Sequence, residues 1–96
     1  MNKFEVILTA HAIGDLRGLP KEYHAQLHQD LKTLPLNPFP QGSTIKRLKG
    51  FRPPVYRFRS GDYRVLYFIR GSKIIILRVI DRKTLEREIK RLKLSL

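Results

Sequence analysis

The stretch LKGFRPPVYRFRSGDYRVLYFIRGSKIIILRVIDR, residues 48–82, decides the fold, because it contains three consecutive β-rich segments separated by short turns. The predicted strands are Val55–Arg59, Tyr63–Arg70 and Lys73–Ile80, and the turns are Ser60-Gly61-Asp62 and Gly71-Ser72. Turns of two or three residues that contain glycine are typical of antiparallel hairpins. The stretch therefore predicts a three-stranded antiparallel meander.

Arginines alternate with apolar residues along the first two strands of this meander. Successive side chains of a strand point to opposite faces, so Arg57 and Arg59 are predicted to project together while Tyr56 and Phe58 face the core. Arg64 of the next strand is expected to join the two arginines. Because arginine binds phosphate through a planar and permanently charged fork, this face predicts a polyanionic ligand, with nucleic acid as the first candidate.

The residues before the meander predict one strand and two helices. Lys3–Thr9 alternates apolar residues and is expected to pair with a distant strand. Thr9 is expected to cap a short helix, and Pro20 to open a longer second helix. That helix is expected to end at Pro35, since the residue before a proline is pushed out of helical geometry.

An amphipathic, basic helix is predicted at the C-terminal end, capped by Asp81 or Thr84. Its apolar stripe consists of Leu85, Ile89, Leu92 and Leu96. The order of elements is typical of an α+β fold with a mainly antiparallel four-stranded sheet and the two N-terminal helices on one face. The opposite, arginine-bearing face is expected to stay open to solvent.

The composition indicates one charged domain over residues 1–96. Twenty Lys and Arg against eight Asp and Glu give a formal net charge of +12, which points to nucleic acid, the ribosome, an acidic membrane surface or an acidic protein as partner. The absence of cysteine excludes disulfides, thiolate nucleophiles and cysteine-based metal sites. With no apolar run of membrane-spanning length and no secretory signal, a cytoplasmic protein without membrane association is expected.

Histidines and carboxylates give no pattern of a metal or cofactor site. His24 and His28 share one face of the predicted second helix, but no third ligand or HExxH-type context accompanies them. The eight carboxylates form no obvious pair for Mg²⁺ binding or acid–base chemistry. No metal and no cofactor is therefore predicted.

Several of these segments resemble the RelE/ParE superfamily of toxins from type II toxin–antitoxin systems, over nearly the whole chain. The most specific is Gly61-Asp62-Tyr63-Arg64-Val65-Leu66-Tyr67, which is similar to the family's GDYRV-x-Y hairpin. Leu48-Lys49-Gly50 resembles its LxG entry, and Tyr56-Arg57-Phe58-Arg59 resembles its basic second strand. In Val79–Lys83 only Arg82 matches the family's turn before the last helix.

The resemblance implies a RelE-like fold and a ribonuclease activity. RelE-type members enter the ribosomal A site and cut mRNA without a metal, by driving the ribose 2′-OH onto the adjacent phosphate. The residues that match the family's basic catalytic positions are Arg57, Arg59, Arg64 and Arg82. Further residues predicted to contact RNA are Lys46, Arg47, Lys49, Arg52, Tyr63, Arg78 and Lys83.

Two departures from the family pattern leave alternatives open. Guanidinium groups make poor general bases, and no tyrosine or histidine follows Arg82 to transfer a proton. One alternative is a ParE-like inhibitor that poisons DNA gyrase by protein contact, and another is an inactive relative that binds nucleic acid or antitoxin. The resemblance also implies a cognate antitoxin, comparatively acidic and folding as it binds, in a hetero-oligomer with the toxin.

Overall fold

The computed structural model describes residues 4–95, which form three α-helices and one five-stranded sheet. The strands are β1 (Glu5–Leu8), β2 (Ile45–Arg47), β3 (Val55–Ser60), β4 (Tyr63–Arg70) and β5 (Lys73–Asp81). The helices are α1 (Ala10–Arg17), α2 (Lys21–Leu31) and α3 (Leu85–Ser95). Short 3₁₀ turns cover Leu34–Leu36 and Arg82–Thr84. The predicted α+β class is confirmed.

The sheet has the strand order β1-β5-β4-β3-β2. β3, β4 and β5 form the predicted antiparallel meander, and β1 pairs in parallel with the distant β5. Lys3, at the start of the predicted first strand, lies outside the described residues. The prediction of four strands was one too few, because Ile45–Arg47 pairs with β3 as an edge strand. Three residues with a single buried side chain are too short to show strand alternation in a sequence.

The two N-terminal helices cover one face of the sheet, as predicted. α1 begins after Thr9, whose Oγ1 accepts a hydrogen bond from the backbone N–H of Ala12 at 3.2 Å. Ala12 and Leu27 are buried against sheet residues that include Phe58, Val65 and Tyr67. No helix in the described part of the chain is long and apolar enough to cross a membrane.

The opposite face of the sheet is partly covered by α3, so the expectation of a wholly open arginine face was wrong. Leu66 and Ile80 are buried there in a second apolar cluster with Leu85 of α3. Ile89 and Leu92 of the predicted stripe pack against this cluster, and the stripe's fourth member, Leu96, lies outside the described residues. What stays uncovered is the end of this face at the β3–β4 turn.

A network of ion pairs joins α1, β5 and α3 through Arg78. Its guanidinium donates from Nε to Asp15 Oδ2 at 2.7 Å and from Nη1 to Glu88 Oε1 at 2.6 Å. Asp15 Oδ2 also accepts from the backbone N–H of Val79 at 2.9 Å. The hydrogen bond with Asp15 raises the pKa of Arg78, and the hydrogen bond with Arg78 lowers the pKa of Glu88. These contacts give Arg78 a structural role, and its contact with RNA stays a prediction.

Candidate functional site

A small cationic depression, which we name the basic hollow, lies at the uncovered end of the sheet. Its volume is about 140 Å³. The residues that line it are Ser43, Thr44, Lys46, Arg57, Arg59 and Arg64. Four of its six lining side chains are cationic and two carry a hydroxyl group, so the hollow offers only groups that can neutralise or hydrogen-bond an anion.

Strand pairing brings the cationic side chains to one face. Arg59 of β3 lies opposite Arg64 of β4, and Lys46 of β2 lies opposite Arg57 of β3. Residues directly opposite in an antiparallel pair point to the same face, and like charges in that position destabilise a sheet. The arrangement therefore carries an electrostatic cost that a bound anion would relieve.

Arg64 is the most constrained arginine of the hollow. Its Nη1 donates hydrogen bonds to the main-chain oxygens of Gly61 at 2.9 Å and Tyr63 at 3.0 Å. Gly61 has a φ of +57°, a left-handed conformation that glycine adopts without strain and that closes the β3–β4 turn. Burial lowers the pKa of Arg64, and the positive charges of Arg59 and Arg57 lower it further. The turn thus holds a partly desolvated guanidinium in place before any ligand arrives.

Arg82 borders the basic hollow from the end of β5. Its backbone N–H donates to the main-chain oxygen of Asp62 at 2.9 Å, and its Nε lies 3.9 Å from Asp62 Oδ1. The side chain of Arg82 is 60% exposed, and its charge also contributes to the lowered pKa of Arg64. The four arginines proposed as the catalytic positions are therefore neighbours at this end of the sheet.

Four of the seven residues predicted to contact RNA form two groups. Lys46 lines the basic hollow, and Lys83 is exposed beside Arg82. Lys49 and Arg52 are exposed in the loop between β2 and β3, at the opposite end of the β3–β4 pair from the hollow. The structure thus adds Lys46 to the arginine cluster and separates these two loop residues from it.

Two other residues predicted to contact RNA, Arg47 and Tyr63, lie on the face opposite to the basic hollow. Arg47 is paired with Tyr56, on the face that carries the helices. Tyr63 packs edge-on against Tyr23 of α2, with ring centroids 5.1 Å apart, and burial raises its pKa. Strand alternation places Tyr63 on the face opposite to Arg64, so its ring lies away from the basic hollow.

Sequence reasoning missed Ser43 and Thr44 as lining residues. The backbone N–H of Arg59 donates to the main-chain oxygen of Thr44 at 2.9 Å, which ties the preceding loop to the edge of the hollow. Without β2 in the prediction, nothing in the sequence placed this loop beside β3. Within residues 4–95, no three histidine or acidic side chains come together in a way that could hold a metal ion.

The chain is similar to known toxins over most of its length. A family model described as the ParE toxin of the type II toxin–antitoxin system parDE matches residues 6–86. The curated protein RelE1 of Methanocaldococcus jannaschii, described as a putative toxin, is 39% identical over 83 residues, which cover 84% of this chain and 91% of that protein.

Solved structures show the same fold. The RelE–RelB complex of Pyrococcus horikoshii contains a chain that matches with a TM-score of 0.70 and 27% identity, covering 83% of this chain and 96% of the other. The toxin–antitoxin complex RelBE2 of Mycobacterium tuberculosis contains one that matches with a TM-score of 0.71 and 29% identity, covering 83% and 99%. The predicted RelE-like fold is confirmed.

Proposed function

Because the chain belongs to the RelE/ParE superfamily of type II toxin–antitoxin toxins, we propose that it inhibits translation as a ribosome-dependent, metal-independent mRNA endoribonuclease. The observation that carries this proposal is the basic hollow with Arg57, Arg59 and Arg64 inside it and Arg82 at its border. In this proposal, the basic hollow binds the scissile phosphate of mRNA in the ribosomal A site.

The hollow suits the electrostatic demand of internal transesterification. Attack of the ribose 2′-oxygen on phosphorus builds negative charge on the phosphate oxygens, and cationic donors that are already in place stabilise that charge without reorganising. Arg64 meets this requirement, since two main-chain oxygens hold its guanidinium in position. Arg57 and Arg59 add charge from the neighbouring strand, and Arg82 approaches from the end of β5.

The proposed partners are mRNA on the ribosome and a cognate antitoxin. The two solved complexes pair RelE-type chains with their antitoxins, and the formal net charge of +12 favours an acidic partner. An acidic antitoxin that folds on this surface would form a hetero-oligomer with the toxin and compete with RNA for the same charges.

Cleavage in a purified translation system tests the proposal, with Arg64→Ala as the variant and Arg70→Ala as its matched control. Both arginines lie on β4, but Arg70 is exposed at the opposite end of the strand. Loss of one positioned donor costs about 10²–10³-fold in rate, so Arg64→Ala should be slowed by that factor and Arg70→Ala should cleave normally. Equal activity of the two variants, or no cleavage by the folded wild-type protein, would refute the proposal.

A second candidate function is inhibition of DNA gyrase by protein contact. The family model that matches residues 6–86 describes ParE toxins, and the side chains that line the hollow include no carboxylate and no imidazole to serve as a base. A gyrase supercoiling assay separates the candidates, since cleaved DNA complexes together with intact mRNA would favour inhibition of gyrase over mRNA cleavage.

A further inference from the structure

Proton transfer to the leaving group is the part of the reaction that the arginines cannot perform. Cleavage expels a ribose 5′-oxygen, which needs a proton as the bond to phosphorus breaks. A guanidinium keeps its proton at any accessible pH, and the hydroxyls of Ser43 and Thr44 are very weak acids. Among the side chains that line the hollow, Lys46 alone carries a cationic group that can give up a proton.

The short edge strand β2 brings Lys46 to this position. Ile45 is 2% exposed and pairs with the buried Phe58 on the helix-covered face. Strand alternation then turns the next residue, Lys46, to the opposite face, where it lies across from Arg57. The side chain of Lys46 is exposed and lines the same hollow as Arg57, Arg59 and Arg64, next to the place where these arginines would hold a phosphate.

We propose that Lys46 is the general acid that protonates the leaving 5′-oxygen, an assignment that rests on the proposed nuclease function. The 2′-oxygen forms a bond to phosphorus and its proton passes to water. The bond from phosphorus to the 5′-oxygen breaks, and its electron pair takes a proton from Lys46 Nζ. The products are a 2′,3′-cyclic phosphate and a 5′-hydroxyl, and the neutral amine of Lys46 regains a proton from water.

The test uses Lys46→Arg, which keeps the positive charge and removes the transferable proton. Its matched control is Lys73→Arg, an equally conservative change at an exposed lysine at the start of β5, next to the Gly71-Ser72 turn at the other end of the sheet. Single-turnover cleavage is measured on programmed ribosomes with two mRNAs. One has the natural 5′-oxygen at the cut site, and the other has a bridging 5′-sulfur, which leaves as a thiolate and needs no proton.

Lys46→Arg should cleave the oxygen substrate about 100-fold more slowly than wild type, within the range that general acid catalysis contributes, and the sulfur substrate at about the wild-type rate. Lys73→Arg should match wild type on both. An equal loss on both substrates would mean that Lys46 only binds or positions RNA, and no loss on either would mean that it has no role; both results overturn the assignment. If the folded wild-type protein cleaves neither substrate, the nuclease proposal itself fails.

Discussion

Replacing Arg78 by alanine is expected to destabilise the fold strongly, because this side chain joins α1, β5 and α3. The side chain of Arg78 is only 16% exposed, and the side chains of its two partners, Asp15 and Glu88, are 15% and 6% exposed. Removing one member of a buried charge pair leaves the other member without compensation in a poorly solvated place, at a cost of about 3–5 kcal/mol.

The structure places the expected loss at the lower end of that range. Arg87 and Arg91 each lie 3.4 Å from Glu88 Oε2, and Asp15 retains its hydrogen bond from the backbone of Val79. We therefore expect a loss of about 3 kcal/mol, a large part of the roughly 5–15 kcal/mol of a typical domain. For a domain of this size that corresponds to a fall in Tm of roughly 12–24 °C.

Urea unfolding followed by circular dichroism measures this loss. Arg91→Ala is the matched control, because Arg91 pairs with the same Glu88 but its side chain is 68% exposed, and its loss should be about 0.5 kcal/mol. Equal and small losses for the two variants would refute the structural role. A stable Arg78→Ala protein with weakened RNA binding would support the predicted contact of Arg78 with RNA instead.

Two further predictions concern acid stability and RNA binding. The hydrogen bond from Arg78 lowers the pKa of Glu88 below its ordinary 4.5. The Glu88 carboxylate therefore stabilises the fold above pH 4.5, and this stabilisation is lost as the pH falls through the lowered pKa. In this pH window the free energy of unfolding should depend less steeply on pH for Glu88→Gln than for wild type, and equal slopes would contradict the linkage. Arg59→Ala should reduce the slope of log Kd against log salt for single-stranded RNA by about 0.7, the value for one lost phosphate contact. Arg47→Ala, on the helix-covered face, should leave this slope unchanged. Equal changes in slope for the two variants would contradict the placement of Arg47.

The meander and the grouping of its arginines could be predicted because both depend on local rules. Gly61 and Gly71 mark the two hairpin turns, and alternation of side chains sets which residues share a face. These rules are sufficient to group Arg57, Arg59 and Arg64 on one face. Arg82 entered only through family resemblance, and its place beside Asp62 depends on how β5 ends.

The remaining features depend on contacts between distant segments. The ion pairs of Arg78 could not be predicted, because its carboxylate partners stand 63 and 10 residues away in the sequence. β2 went unrecognised because an edge strand of three residues is defined by its pairing with β3 rather than by its own pattern. α3 covers part of the arginine-bearing face because its apolar stripe has to be buried and the two N-terminal helices already fill the other face of the sheet.

The central claim is that the basic hollow cuts mRNA on the ribosome. Mapping of mRNA 5′ ends after induced expression tests this claim most directly. Wild-type protein should generate new 5′ ends bearing a hydroxyl group within translated codons, and Arg64→Ala, expressed to the same level and equally folded, should generate almost none. A wild-type map without new 5′ ends, from folded protein that still arrests growth, would contradict the claim.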